Sequence, residues 1–360
     1  MASQKVITSI EEVTVEWLTA VLTRSGALTT GHVLAFDTSG GAGHWSQNAR
    51  LTLIYSDDTQ GSCPTNLFLK LVTTDLGDGE FFLPSEVNYY TRDYIDVVDA
   101  PLVRCFVGAY DAEQHFYHLL LEDKSATHKA AYDLKPTLAY GQALGEAFAI
   151  LHARWWGPAP LQQIGATIHD AAHIREATTI GKTALGHAQA IFGERFKPHW
   201  PALIAEIYAK LPDAAITRAQ DITHFTLIHG DPNEGNILVP HKGERPLFLI
   251  DQQPFDWSLT TWLGVYDLAY AMALYWQTDL RRRLEIPVLR HYHAALIQRG
   301  ITHYDWEQLY NDYRLCVALT VPVAIEYMDD GGDPDWNEFR YGLINRTLTA
   351  FDDLNCAELL

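Results

Sequence analysis

The apolar residues of this chain change their period part-way along, and that change limits the folds open to it. HVLAFDTSG (32–40), ARLTLIYSD (49–57) and TNLFLKLV (65–72) alternate apolar with polar side chains between Gly, Ser and Asp clusters, the pattern of antiparallel strands with one buried face. Before them, Ser9 or Thr14 opens a short helix, with Glu12 three residues beyond Ser9 and Gly26 as its stop. PSEVNYYTRDYIDVV (84–98) predicts a single helix with Val87, Tyr90, Tyr94 and Val98 near one face. LVRCFVGAY and HFYHLLLED predict two further strands that end near Asp123. From Lys135 onward the spacing turns helical, in KPTLAYGQALGEAFAILHARWW and in 171–192, 199–211, 261–277, 280–299, 305–329 and 336–354. Only HFTLIH, NILVP and PLFLID interrupt it with strand-like runs. The expectation is an α+β chain of two lobes: a small antiparallel sheet with one helix over 1–123, then a larger, mainly helical lobe over 124–360 holding a short β-rich island. There is no internal repeat and no low-complexity linker.

Composition narrows the partners. With 360 residues, 48% of them apolar, the chain can bury a substantial core. Its 45 acidic and 26 basic side chains leave a formal charge of −19. That charge repels a phosphate backbone, and no polybasic stretch offers itself to an anionic membrane, so neither nucleic acid nor membrane is an expected partner. Cys63, Cys105, Cys316 and Cys356 are far apart, form no CxxC pair and suit a reducing compartment. MASQKVITSIEEVTVEWL lacks a basic n-region with an apolar run, and no stretch approaches about 18 uninterrupted apolar residues. A soluble cytoplasmic protein is expected.

The chemistry concentrates in HGDPNEGN, His229 to Asn236, at the end of one strand of the island. Turns are made of Asp, Asn, Gly and Pro, but a loop held by rigid strands is also where catalytic groups gather. Twenty residues after Asp231, the strand PLFLID ends in Asp251. Asp231, Asn236 and Asp251 would then converge from strand ends, a set of hard oxygen donors that suits Mg2+. The order Asp, Asn five residues on, and Asp after a hairpin matches the catalytic loop and metal aspartate of kinase-type phosphotransferases. Asp231 would accept or orient the proton of a substrate hydroxyl, and Asn236 and Asp251 would hold metal against nucleotide phosphates. Lys70, near the end of NLFLKLV, and Glu86, early in the next helix, form a candidate ion pair that aims an ammonium at the α- and β-phosphates. TSGGAGHWSQ puts Gly40, Gly41 and Gly43 between two strands, where backbone N–H groups can approach a phosphate or simply make a tight hairpin. Backbone groups near Leu121 and Glu122, at the end of HLLLED, are the candidate partners of an adenine.

These residues resemble the aminoglycoside phosphotransferase and choline kinase-like superfamily, which shares the two-lobed protein kinase-like fold. HGDPNEGNIL stands for its HGDxxxxN signature, LFLIDQQ for its metal-aspartate segment, and GVYDLAYAMA for its downstream Gly-x-x-Asp-Leu-Ala helix. LLLED, LHARWW, DQQ and RRRLEIPVLRHYHAALIQRG look most like the ecdysteroid kinase-like branch and its bacterial relatives. The resemblance covers nearly the whole chain and implies ATP- and Mg2+-dependent phosphorylation of a small-molecule hydroxyl. Pro232, Gln252 and a glycine cluster that is not GxGxxG depart from the pattern, and they bear on the substrate rather than the reaction. Asp267, at the start of the GVYDLAYAMA helix, is expected to bond the backbone of the catalytic loop.

Other patterns have plainer readings. IGKTALG lacks the glycine that a Walker A loop needs five positions before its GK pair, because residue 176 is Glu. HDAAH, 169–173, imitates a zinc helix but places the shorter Asp170 where a general base belongs and offers no third ligand. His152 reads as a packed helix histidine. Asp256, Trp257, Trp262, Tyr266, Tyr270 and Trp276, with EYMDDGGDPDW, make an aromatic and acidic wall for a glycoside, amino sugar or amine; the same residues at helical spacing are also what a core uses. A nucleotide-binding regulator without turnover and a protein kinase are the rival functions, the second disfavoured because no APE-type segment follows Asp251.

Overall fold

The structure, a computed structural model, describes residues 5–42, 46–77, 80–243, 246–253, 258–328 and 334–360. The chain forms two compact units: Met1–Val98, Leu102–Lys129 and Phe248–Asp256 make one, and Asp99–Pro101, Ala130–Leu247 and Trp257–Leu360 the other. The segment that carries Asp251 thus belongs with the N-terminal strands and not with the helices that flank it in sequence.

In the first unit, strands β1 (Val33–Ala42), β2 (Ser46–Tyr55), β3 (Asn66–Thr73), β4 (Cys105–Asp111) and β5 (Phe116–Glu122) form one antiparallel sheet of order β1-β2-β3-β5-β4. The alternation in sequence sorts the side chains between the two faces. Ala49, Leu51 and Leu53 of β2, Leu67, Leu69 and Leu71 of β3 and Leu120 of β5 share a buried cluster with Leu18, Val21 and Leu22 of helix α1 (Val15–Arg24). Thr14 starts α1, its Oγ1 accepting the Trp17 N–H at 3.1 Å. Phe68, Lys70 and Val72 alternate with the buried leucines of β3 and so belong to the other face, with Asn48 paired to Lys70 on one side and Leu119 on the other. His118 falls on the core side of β5, where its Nδ1 accepts the Ile7 N–H at 3.0 Å.

The helix expected over 84–98 is shorter. Helix α2 (Ser85–Asn88) runs into a π-helical turn, Tyr89–Asp93, and stops. Val98 therefore lies beyond the helix and is 83% exposed instead of joining Val87 and Tyr90 inside.

The second unit holds α3 (Leu138–Arg154), α4 (Ala171–Thr178), α5 (Trp200–Arg218), strands β6 (Phe225–Leu227), β7 (Ile237–Pro240) and β8 (Thr261–Leu263), then α6 (Val265–Ala269), α7 (Thr278–Gln298), α8 (Trp306–Glu326) and α9 (Asn337–Asp353). The expected helix over 171–192 breaks at Gly181, whose φ of +70° excludes most residues and whose missing Cβ would lie 2.5 Å from the Glu326 nitrogen. The run 261–277 opens as β8, antiparallel to β6, before α6 and a second π turn, Tyr270–Tyr275. Helix α3 lies close along α7 because Gly141 has no side chain: a Cβ there would overlap Val288 Cγ2 and stand 3.0 Å from Trp276 Cη2. No helix among the described residues is long and apolar enough to cross a membrane.

Two outcomes follow from this packing. Gly141→Ala should cost about 1–3 kcal/mol by overpacking, whereas Gly186→Ala, a helix glycine with open space around it, should gain about 0.5–1 kcal/mol; urea unfolding of both reads the contrast. Burial holds the His118 pKa down, to about 4 from 6.5. Between those values the unfolded chain binds a proton that the folded chain refuses, so stability falls as pH drops through this window. His118→Gln should flatten that slope in melts taken from pH 7 to 4, and an unchanged slope would remove His118 as its source.

Candidate active site

In the first unit the register of β3 and β5 sets one lysine among acids. Lys70 Nζ donates to Glu86 Oε1 and Oε2 at 2.8 Å each and to Asp251 Oδ1 at 2.8 Å. Glu86 comes from the first turn of α2, and the Tyr117 hydroxyl of β5 donates to its Oε2 at 2.5 Å. Tyr117 is paired with Val72, two residues along β3 from Lys70 and on the same face, which is how it reaches the pair. Asp251 follows the short strand Phe248–Leu249 and has a left-handed φ of +56°, a conformation Asp tolerates better than most residues. Ser85 Oγ donates to the Gln253 carbonyl at 3.2 Å, tying the start of α2 to this segment.

Burial opposes the charge on Lys70, but the carboxylates of Glu86 and Asp251 outweigh it and lift its pKa above the ordinary lysine value. Burial raises the pKa of Glu86, Lys70 opposes that shift, and the nearby Asp251 charge adds to it. One ammonium therefore serves two acids. Lys70 and Glu86 are largely enclosed, whereas the Asp251 side chain is 46% exposed.

In the second unit, the loop between β6 and β7 is built around a buried aspartate. Asp267 of α6, 0% exposed, accepts the His229 N–H through Oδ2 at 2.7 Å and the Gly230 N–H through Oδ1 at 2.9 Å. His152 Nε2 donates to the same Oδ2 at 3.0 Å, and its Nδ1 lies 2.9 Å from the Tyr292 hydroxyl. Gly230 has a φ of +84°, which lets the chain turn there, and Gly264 leaves the space that His152 Nδ1 and the Tyr292 hydroxyl fill. Asp267 thus holds the loop, as its sequence position led us to expect, and His152 is the packed helix histidine expected, bonded to Asp267. Within the loop, Asn236 Nδ2 donates to the Asp231 carbonyl at 2.9 Å and to its Oδ2 at 3.2 Å, and Asn233 Nδ2 lies 3.0 Å from both carboxylate oxygens.

Tyrosines surround this loop electrostatically. Burial, followed by the charge of Asp231, holds the Tyr270 and Tyr327 hydroxyls above their usual pKa, and Tyr275, 3.2 Å from Tyr327, responds to burial, Tyr327 and Asp231 in turn. Glu234 faces a cavity of ≈ 10 Å³, about one water in size, lined also by Tyr140, Tyr275 and Trp276. Burial pushes its pKa up to about 7, with Asp133 adding to the shift and Arg346 opposing it.

Several expectations need correction. Gly40 and Gly41 lie inside β1, paired with Ala49 and Asn48, and not in a loop; Gly43 lies outside the described residues. The Glu122 N–H already donates to the Arg104 carbonyl at 2.8 Å, so it is not a donor held open for an adenine, and Leu121 is paired within the sheet. Trp262 is 0% exposed on β8 against Phe225, and Tyr266 is buried against Tyr270, so both are core and not an open wall. Asp256, Trp257 and residues 329–333 of EYMDDGGDPDW lie outside the described residues. In HDAAH, Asp170 caps α4 by accepting the His173 N–H at 2.9 Å, while His169 and His173 bond Thr260 and Ser258. No group of three or more His, Cys, Asp or Glu among the described residues is arranged to hold a metal by itself. Tyr117, Asn233 and Tyr275 were missed, and of these only Asn233, inside the motif, carried a signal in the sequence; Tyr327 lay within the EYMDDGGDPDW stretch already singled out.

No protein family and no curated protein matches the chain by sequence. Solved structures match it in fold. Choline kinase from Cryptosporidium parvum Iowa II, 9% identical, aligns over 90% of this chain and 91% of its own with a TM-score of 0.55. Plasmodium vivax ethanolamine kinase, 12% identical, aligns over 89% and 84% with a TM-score of 0.53. A microcompartment-associated aminopropanol kinase, 16% identical, aligns over 89% and 92% with a TM-score of 0.51. At such identities the likeness establishes the fold, the two-lobed α+β protein kinase-like architecture that the sequence led us to expect.

The anchor on Asp267 is testable without any substrate. Asp267→Ala strips a charged acceptor from two buried N–H groups and should cost about 3 kcal/mol in urea unfolding. A loss below about 1 kcal/mol would mean that the loop does not depend on it.

Proposed function

We propose that the chain is a small-molecule O-phosphotransferase, moving the γ-phosphoryl group of ATP to an alcohol with Mg2+ as cofactor. The observation that carries this reading is the Lys70 ammonium, bonded at 2.8 Å to buried Glu86 and to half-exposed Asp251. A structural ion pair needs one acid; a second, open to solvent on a left-handed residue, is the arrangement a phosphate and metal site requires.

Asp251 and Asn236 are each the kind of hard oxygen donor that Mg2+ takes, alongside water and substrate phosphates. Asp251 supplies a carboxylate. Asn236 commits its amide nitrogen to Asp231, which leaves the amide oxygen as the atom to offer a cation. When bound, Mg2+ supplies charge neutralisation for the β- and γ-phosphate oxygens. Lys70, oriented by Glu86, takes the α- and β-phosphates. Asp231 accepts the proton of the acceptor hydroxyl as its oxygen bonds the γ-phosphorus and the bond to the β-phosphate oxygen breaks, leaving ADP. The three similar structures are named for choline, ethanolamine and aminopropanol, small alcohols that bear nitrogen. Amino alcohols therefore head the panel of acceptors, with sugars, amino sugars and sterol-like alcohols after them.

ADP release across that panel tests the reading. Asp231→Asn and Asp251→Asn should each lower kcat by at least about 100-fold while leaving circular dichroism and melting unchanged. Lys70→Met should raise the KM for ATP and also lower the melting temperature, because it leaves buried Glu86 without its ammonium. Normal turnover in the Asp251 variant would overturn its metal role. A melting shift with MgATP but no ADP release with any acceptor would favour the regulator.

A further inference from the structure

Asn233 stands inside the loop without a role in the scheme above. Its amide is gripped at both ends. Oδ1 accepts the Gly235 N–H at 2.7 Å, and Nδ2 lies 3.0 Å from Asp231 Oδ1 and 3.0 Å from Oδ2. Because an amide oxygen only accepts and its nitrogen only donates, the Gly235 donor fixes which way the group faces. The nitrogen is thereby aimed at the carboxylate. The turn behind it is closed separately, by the Asn236 N–H on the Asn233 carbonyl at 3.0 Å.

The residue at 235 protects this arrangement. A Cβ there would overlap the Tyr132 hydroxyl and lie 2.9 Å from Asn233 Oδ1, so any side chain would push the amide away. Asn236 also donates to Asp231, but to the main-chain carbonyl and to Oδ2 alone. Of these two amides, that of Asn233 spans both oxygens, and a donor that spans both resists rotation of the carboxylate about its Cβ–Cγ bond.

We propose that Asn233 is the positioning residue of the transfer step, its amide fixing the plane of the Asp231 carboxylate that receives the hydroxyl proton. The role rests on the phosphotransferase reading; the contact rests on loop geometry alone. Two variants separate positioning from support of the turn. Asn233→Asp keeps an acceptor for the Gly235 N–H and loses the donor, while Asn233→Ala loses both.

With MgATP and the panel alcohol that turns over fastest, both variants should lose about 100-fold in kcat, while the KM for ATP stays within about twofold. An unchanged kcat in either variant overturns the inference, as does a kcat loss matched by an equal rise in the KM for ATP, the mark of a loosened loop. A second readout needs no turnover. In ¹⁵N-labelled full-length chain the Asn233 side-chain amide protons should lie downfield and move upfield in Asp231→Ala; signals that stay in place overturn the contact. Absence of turnover with every alcohol would overturn the phosphotransferase reading and with it the role of Asn233, while the amide signals still report the contact, so the two failures are told apart.

Discussion

The Lys70 ammonium is the charge around which the first unit is arranged. Removing it would leave Glu86 as a buried acid facing Asp251, and stripping one partner from a buried ion pair is among the more damaging changes a protein can suffer. Three independent features bring its partners in. The β3–β5 register sets Tyr117 on the same face, α2 presents Glu86 from its first turn, and a left-handed residue after a two-residue strand delivers Asp251. Such convergence from distant parts of the chain is what a preformed electrostatic site looks like, since its dipoles are set before any substrate arrives.

The second unit solves a different problem, that of holding a polar loop rigid. Backbone N–H groups in a tight turn need partners, and Asp267 supplies two of them from within the helical core. His152 and Tyr292 complete the network around it, and their fit depends on the absence of a side chain at Gly264. The loop itself then needs few apolar contacts. Its residues are free to be chosen for chemistry, and the amides of Asn233 and Asn236 are both spent on Asp231.

Much of this was legible in the sequence. Period-two alternation located β2 and β3 because one face of each is buried in a cluster shared with α1, and it located β1 although, among the described residues, only Val33 of its side chains is buried there; the helical spacing after Lys135 located α3, α7, α8 and α9. The motif residues Lys70, Glu86, Asp231, Asn236 and Asp251 were found from order and spacing, and the structure joins Lys70 to Glu86 and Asp251, and Asn236 to Asp231. What pattern reading lost has physical causes. A π turn leaves no mark in composition, and the helix after Ser85 ends with it at Asp93, short of exposed Val98. Aromatic residues look alike whether packed or exposed, which made buried Trp262 resemble a pocket wall. Tyr117 and the tyrosines near Asp231 act through tertiary contacts that no local spacing encodes.

Phosphorus NMR of the chain incubated with MgATP and each alcohol of the panel decides most directly whether phosphoryl transfer is the function. A phosphomonoester resonance should grow in with one acceptor class as the γ-phosphate signal of ATP declines. An ATP spectrum that stays intact with every alcohol, or one that yields inorganic phosphate alone, would contradict it.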